Sequence, residues 1–229
     1  IGSERSNPYL AEEGRFWKKM KQLVSHLADG YIFSTEEARK YYPKRVQKKS
    51  VIIPNGIFAN NIPEHVPPLY HRNSCKICAV GRLQPVKGFD TLIRAFAQLR
   101  SCIEARLLIL GEGKERGKLE ELARELNVQK DMLMPGYVKN PHPYIAHSSL
   151  FVLSSAFEGL PNALIEALAL GIPVVSTDCE SGPREILDNG RLGRLVPVAD
   201  PNALSLAMLE TLNQVEKKPI SQEDLSKFD

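Results

Sequence analysis

Leu150-Phe151-Val152-Leu153-Ser154-Ser155-Ala156-Phe157-Glu158-Gly159-Leu160-Pro161-Asn162-Ala163-Leu164-Ile165-Glu166-Ala167-Leu168-Ala169-Leu170 reads as a strand, a loop and a helix. The apolar run from Leu150 to Leu153 has the length and composition of a parallel strand buried on both faces. The helix is expected over 160–170, with Pro161 able to take the first helical position, where a missing N–H costs nothing. Gly159 lets the backbone come close to whatever lies in front of that helix. Glu166 is the only charged residue within the helix. A carboxylate buried without a partner costs several kcal/mol, so Glu166 needs either a partner or an opening. With a helix start near Leu160, Glu166 lies about six residues, or roughly 9 Å, along it, with Glu158 just ahead of the start. That spacing suits the two ends of an extended ligand whose middle faces the helix N-terminus. A diphosphate fits the middle, because free N–H groups and the helix dipole attract anions there.

Outward from this unit the same alternation repeats. Strands are predicted at 75–80, 105–110, 131–134, 149–153, 173–177 and 192–196. Helices are predicted at about 88–100, 114–126, 141–147, 160–170, 183–188 and 201–214. Strands linked by helices in this way imply an α/β fold, a doubly wound, Rossmann-like parallel sheet whose ligands bind at the carboxyl ends of strands. Ahead of it, residues 11–28 read as a helix carrying Phe16, Met20, Leu23, Val24 and Leu27 at helical spacing. A short strand follows at 31–34, then a helix capped by Ser34 or Thr35, then a strand at 51–53. From Pro54-Asn55-Gly56 to Asn73 the chain is loop-like, with Pro63, Pro67 and Pro68, and the principal domain boundary is expected there. The chain thus divides into 1–54, 55–216 and a polar tail over 217–229.

Composition excludes several classes. Thirty basic against 27 acidic residues give a net charge of +3, with no footprint for nucleic acid. No apolar run approaches the ~20 residues of a membrane span, and no signal-peptide pattern is read. Four cysteines are too few for a disulfide scaffold. Cys75 and Cys78 form a CxxC, but no second CxxC or suitably spaced histidine pair completes a zinc site, so core packing is the expected use. A reducing, cytoplasmic setting follows. The start at Ile1 rather than Met suggests a fragment or a processed chain. The five histidines offer nothing nucleophilic or metal-like, His142 and His147 falling on different helical faces. No Asp-x-Asp occurs, so no metal is expected beneath a nucleotide diphosphate.

The loops after the strands carry the candidate chemistry. Gly81-Arg82-Leu83-Gln84-Pro85-Val86-Lys87-Gly88 presents two cations suited to a diphosphate, Arg82 as a fork of donors and Lys87 as a point charge. The alternative is two solvated loop charges. Gly111-Glu112-Gly113 lacks the third glycine of a dinucleotide fingerprint and is equally a tight turn. Gly136-Tyr137-Val138 offers backbone groups and an apolar wall to a flat base, though either side chain is equally ordinary core. Ser181-Gly182-Pro183-Arg184-Glu185 is placed to close over the same crevice, unless Arg184 and Glu185 simply pair with each other.

Val80-Gly81-Arg82 with Lys87-Gly88, Leu110-Gly111-Glu112-Gly113, Gly136-Tyr137-Val138, and the Glu-x7-Glu of Glu158 and Glu166 resemble the family-4 retaining glycosyltransferases of GT-B fold. The match covers most of 51–215, and 28–55 is similar to the close of the acceptor domain and the crossover from it. The resemblance implies that Arg82 and Lys87 bind the donor diphosphate and stabilise it as leaving group. It assigns both ribose hydroxyls to Glu166 and the transferred sugar to Glu158. Gly81 belongs to the same donor loop, Gly159 and Leu160 would present N–H groups to the sugar or distal phosphate, and Val138 would meet the base through its backbone.

The partners implied are a nucleotide-diphosphate sugar, UDP-sugar favoured, and a glycan or lipid-linked acceptor of bacterial surface-polysaccharide assembly. No cofactor or metal is implied, and the setting is cytoplasmic, with peripheral association at the inner face of the cell membrane. At most 54 residues are left for an acceptor domain. The chain is therefore expected to be the donor half of a larger enzyme, binding nucleotide sugar but transferring poorly alone. A nicotinamide-dependent oxidoreductase is disfavoured by the missing glycine fingerprint. A sugar-nucleotide epimerase of the same fold and a non-catalytic nucleotide-sugar-binding module remain as alternatives.

Overall fold

The computed structural model describes residues 2–4, 27–53, 75–214 and 224. Most of the helix expected over 11–28, the boundary within 55–73 and most of the tail from 217 lie outside the described residues. Leu27, the last apolar position of that expected helix, is exposed in a turn.

Three short strands, β1 (Gly2–Glu4), β2 (Tyr31–Phe33) and β3 (Ser50–Ile52), pair in parallel in that order. Between β2 and β3 run α1 (Glu36–Lys40) and α2 (Lys44–Gln47). The hydroxyl of Thr35 accepts from the Ala38 N–H at 3.1 Å, the cap expected at this position. Phe33, Ala38, Tyr42 and Val46 are buried together and hold this small unit.

The main unit is a six-stranded sheet. Its elements, in chain order, are β4 (Cys75–Val80), α3 (Phe89–Arg100), β5 (Ala105–Leu110), α4 (Arg116–Glu125), β6 (Met132–Gly136), α5 (His142–Ala146), β7 (Leu150–Leu153), α6 (Asn162–Ala169), β8 (Val174–Thr177), α7 (Pro183–Ile186), β9 (Arg194–Val196) and α8 (Pro201–Asn213). The spatial order is β6-β5-β4-β7-β8-β9, every pairing parallel. The order reverses between β4 and β7, and the crevice outside their carboxyl ends is where such sheets take ligands.

Both faces of the sheet are buried because side chains alternate along each strand. Ile77, Ala79, Leu107, Ile109, Leu150 and Val152 pack with Leu92, Ile93 and Phe96 of α3, Leu119 of α4 and Leu204 and Met208 of α8. Cys78, Leu108, Leu110, Phe151 and Leu153 face the other way, onto Ile145 of α5 and Leu164, Ile165 and Leu168 of α6. Cys78 is thus a core residue, its thiol pushed up to about 12 by burial.

Boundaries shift by a residue or two in most elements, and three differences go further. β6 continues to Gly136 through Pro135, which an edge strand tolerates because its missing N–H breaks no ladder on the open side. The helix expected over 183–188 is the single turn α7 followed by a 3-10 turn, Asp188–Gly190. α6 begins at Asn162, so Pro161 is its N-cap and not its first helical residue. Glu166 then stands only about 6 Å along the helix from its start.

Candidate active site

The loop after β4 lies across the loop after β5. Gly81 N–H donates to the Leu110 carbonyl at 2.9 Å, and Leu83 N–H to the Glu112 carbonyl at 2.8 Å. A Cβ on Gly111 would lie 1.9 Å from the Gly81 oxygen, and one on Gly113 would lie 2.2 Å from the Leu83 oxygen. The two glycines of Gly111-Glu112-Gly113 therefore serve the close passage of the neighbouring loop. Leu83 is buried beside them, and Arg82 is left exposed, paired with no carboxylate among the described residues.

Lys87 ends a 3-10 turn, Pro85–Lys87, and Gly88 follows at φ +60°. A Cβ on Gly88 would meet the Ser154 oxygen at 2.1 Å, so only glycine lets this turn sit on the end of β7. Ser154 Oγ donates to the Lys87 carbonyl at 2.9 Å and Ala156 N–H to the Val86 carbonyl at 2.8 Å. These bonds carry Lys87 to the carboxyl end of the facing strand. There its Nζ is 2.7 Å from Oε1 of Glu158, which also accepts from Ser155 Oγ at 2.5 Å. Glu158 is 8% exposed and Lys87 21%, so the carboxylate is buried and its cation faces the crevice. Thr177 of β8 supports the group by donating to the Ser155 carbonyl at 2.6 Å. Cys179 lies close enough to feel both charges. Its thiol is pushed up to about 12, chiefly by burial, with Glu158 adding and Lys87 opposing.

α6 begins four residues after Glu158, and no side chain caps it. Farther along it, Glu166 is 21% exposed and stands 3.5 Å from Nε2 of His142, at the start of α5. Burial raises the Glu166 carboxyl above its ordinary value, and the nearby imidazole partly opposes the rise. The lone carboxylate thus has both a partner and an opening. Val138, in the loop after β6, is half-buried against the lower core, whereas Tyr137 is 76% exposed and is not core.

All the candidate residues fall on loops at the carboxyl ends of β4, β6 and β7, or on α6. Lys87 and Glu158 are brought into direct contact. Arg82 is not drawn into that pair. Because Glu158 already answers Lys87, the three side chains together carry a formal charge of +1 rather than the +2 of the cations alone. Arg184 pairs with Asp178 and not with Glu185. His142 and Ser155 were not singled out by the sequence reading. Ser155 was legible, as a polar residue between an apolar strand and the candidate acid. His142 was not, because its partner, Glu166, lies 24 residues away in sequence on another helix. Among the described residues no group of three His, Cys, Asp or Glu is arranged to hold a metal ion.

The doubly wound parallel sheet is the architecture of one half of a GT-B fold, and solved structures share it. The Anabaena HepE structure in complex with UDP and glucose superposes with a TM-score of 0.82 at 16% identity, over 99% of this chain and 63% of that one. Staphylococcus aureus TarM, solved in complex with UDP, gives 0.77 at 20% identity, over 99% of this chain and 45% of that one. Residues 74–214 match the family model described as glycosyl transferases group 1, and the chain belongs to that family. An uncharacterized glycosyltransferase of Methanocaldococcus jannaschii is 41% identical over 198 residues, covering 80% of this chain and 49% of the relative. A Campylobacter jejuni enzyme is 38% identical over 157 residues, covering 69% of this chain and 42% of its own length. Its name describes transfer of N-acetylgalactosamine to a diphospho-undecaprenol-linked sugar. The chain spans about half the length of these relatives or less.

Proposed function

We propose that this chain is the C-terminal, donor-binding half of a family-4 retaining glycosyltransferase. It holds a nucleotide-diphosphate sugar, UDP-sugar by preference, for metal-independent transfer to a glycan or lipid-linked acceptor in bacterial surface-polysaccharide synthesis. The observation that carries the reading is the buried Glu158, held by Lys87 and Ser155 at the sheet's reversal point, directly ahead of an uncapped helix. As the glycosidic bond to the donor breaks, negative charge gathers on the departing diphosphate. Fixed donors aimed at that charge lower the barrier most. Arg82 and the N-terminus of α6 supply them, joined by Lys87 from its contact with Glu158. Glu158 lies beside the transferred sugar, Glu166 accepts the ribose hydroxyls, and the backbone at Val138 meets the base. Gly81, Gly159 and Leu160 line the same path with backbone alone.

The acceptor would meet this half from the opposite wall, an N-terminal domain. The lipid-linked acceptor in the name of the Campylobacter jejuni relative supports work at the cytoplasmic membrane face. We read that association as peripheral, and no helix among the described residues is long and apolar enough to cross a membrane. Calorimetric titration with UMP, UDP and UDP-sugars tests the reading. Glu166→Ala is expected to weaken UMP and UDP alike. Glu158→Ala should mainly erase the advantage of UDP-sugar over UDP. Equal affinities in the wild type and both variants would refute the assignment.

A further inference from the structure

The loop between β8 and α7 takes no part in the chemistry just described, yet it is built tightly against the sugar side of the cleft. Phe157 and Glu180 form an isolated parallel bridge between the two loops. Ser181 Oγ donates to the Gly159 carbonyl at 3.2 Å. Gly182 follows at φ +92°, and a Cβ there would lie 2.5 Å from that same oxygen and 2.7 Å from Pro161 Cδ. Ser181 itself has φ +72°, a left-handed conformation that a non-glycine residue keeps only where its surroundings impose it. Two successive residues thus have positive φ, and both press on one carbonyl.

The Gly159–Leu160 peptide is trans, so its C=O and N–H point to opposite sides. Holding the Gly159 oxygen on Ser181 therefore aims the Leu160 N–H away from the β8–α7 loop. That N–H meets no acceptor among the described residues. We propose that Ser181 and Gly182 form a latch that fixes the Gly159–Leu160 peptide with the Leu160 N–H open to the distal end of the donor, the β-phosphate and the sugar. Both are positioning residues, which act through the peptide and touch no substrate. The inference rests on the reading of this cleft as a nucleotide-sugar site.

Three variants separate the latch from a merely structural role. Ser181→Ala removes the donor. Ser181→Gly removes the donor and also relieves the left-handed conformation. Ser181→Asn tolerates that conformation and brings an amide N–H that can replace the hydroxyl. Each is titrated by calorimetry with UMP, UDP and UDP-glucose, and its thermal unfolding is followed. Loss of one aimed hydrogen bond should weaken UDP and UDP-glucose roughly three- to ten-fold in the Ala and Gly variants, with UMP unchanged. The Asn variant should recover wild-type affinity, and the Gly variant should unfold at or above the wild-type temperature. Unchanged UDP and UDP-glucose affinity in the Ala and Gly variants overturns the latch, as does an equal loss for all three ligands. A wild-type protein that binds none of the three overturns the donor-site reading and the latch with it, a pattern distinct from any change confined to the variants.

Discussion

Lys87 and Glu158 form the ion pair on which the site turns, and its burial gives it weight. Removing one partner of a buried pair strands a charge and costs about 3–5 kcal/mol when burial is complete. Lys87 keeps 21% of its side chain exposed and Ser155 still donates to the carboxylate, so Lys87→Ala is expected to cost about 1–3 kcal/mol. The double variant Lys87→Ala/Glu158→Gln should be more stable than Lys87→Ala alone, since the stranded charge is gone. Urea unfolding of the four species gives the coupling directly, and a coupling near zero would mean that the two side chains do not interact in solution. Glu166 behaves in the opposite sense. Its carboxyl is raised above the ordinary 4.5 mainly by burial, so the folded protein takes up this proton before the unfolded chain does. Its contribution to stability is therefore fully present below about pH 4.5 and is lost as pH rises through the raised value. Glu166→Gln should unfold at a higher temperature than wild type at pH 7, with the gap closing as pH falls toward 4.5. If Glu166 accepts the ribose hydroxyls as proposed, the same substitution should weaken UDP binding through the loss of a charged acceptor.

The loops owe their positions to glycines that no side chain can replace. Gly88 combines φ +60° with a Cβ position 2.1 Å from the Ser154 oxygen, so Gly88→Ala must separate the turn that carries Lys87 from the end of β7. Strain of this kind costs about 2 kcal/mol or more, and the variant should lose both stability and diphosphate affinity. A Gly88→Ala protein with wild-type urea midpoint and UDP affinity would show that the turn does not position the lysine. This dependence explains what the sequence could and could not disclose. The inner strands β5 and β7 were legible because each is a mainly apolar run bounded by turns, and burial on both faces leaves little polar alternation to blur it. The Glu-x7-Glu pair was legible because its members lie on one short segment. Gly111 and Gly113, by contrast, answer to the carbonyls of Gly81 and Leu83 on another loop, a contact that arises only once β4 and β5 are side by side. His142 was passed over for the same reason, since its role depends on α5 and α6 packing together. The start of α6 was placed early because Pro161 fits both the N-cap and the first helical position.

Across the whole cleft the decisive quantity is the balance of charge that a diphosphate would meet. Arg82 and Lys87 bring two positive charges, Glu158 removes one, and the N-terminus of α6 adds the equivalent of about half a charge. Glu158 is the acid best placed to recruit a divalent ion beneath the diphosphate, yet it already accepts from Lys87 and Ser155. A metal held by Glu158 would have to displace that lysine, and with it one of the two cations proposed for the leaving group. Donor binding is therefore expected to proceed without a metal. UDP affinity should stay within about two-fold when a chelator is added, and magnesium or manganese should not raise it. Arg82→Ala should weaken UDP by roughly ten-fold or more, in line with the loss of one charge-assisted contact, and magnesium should not restore it. Because Arg82 is exposed, its share should also fall as salt is raised, so the affinity of wild type and of Arg82→Ala should converge at high ionic strength. Binding abolished by the chelator and recovered with magnesium would assign the diphosphate to a metal instead of to these side chains.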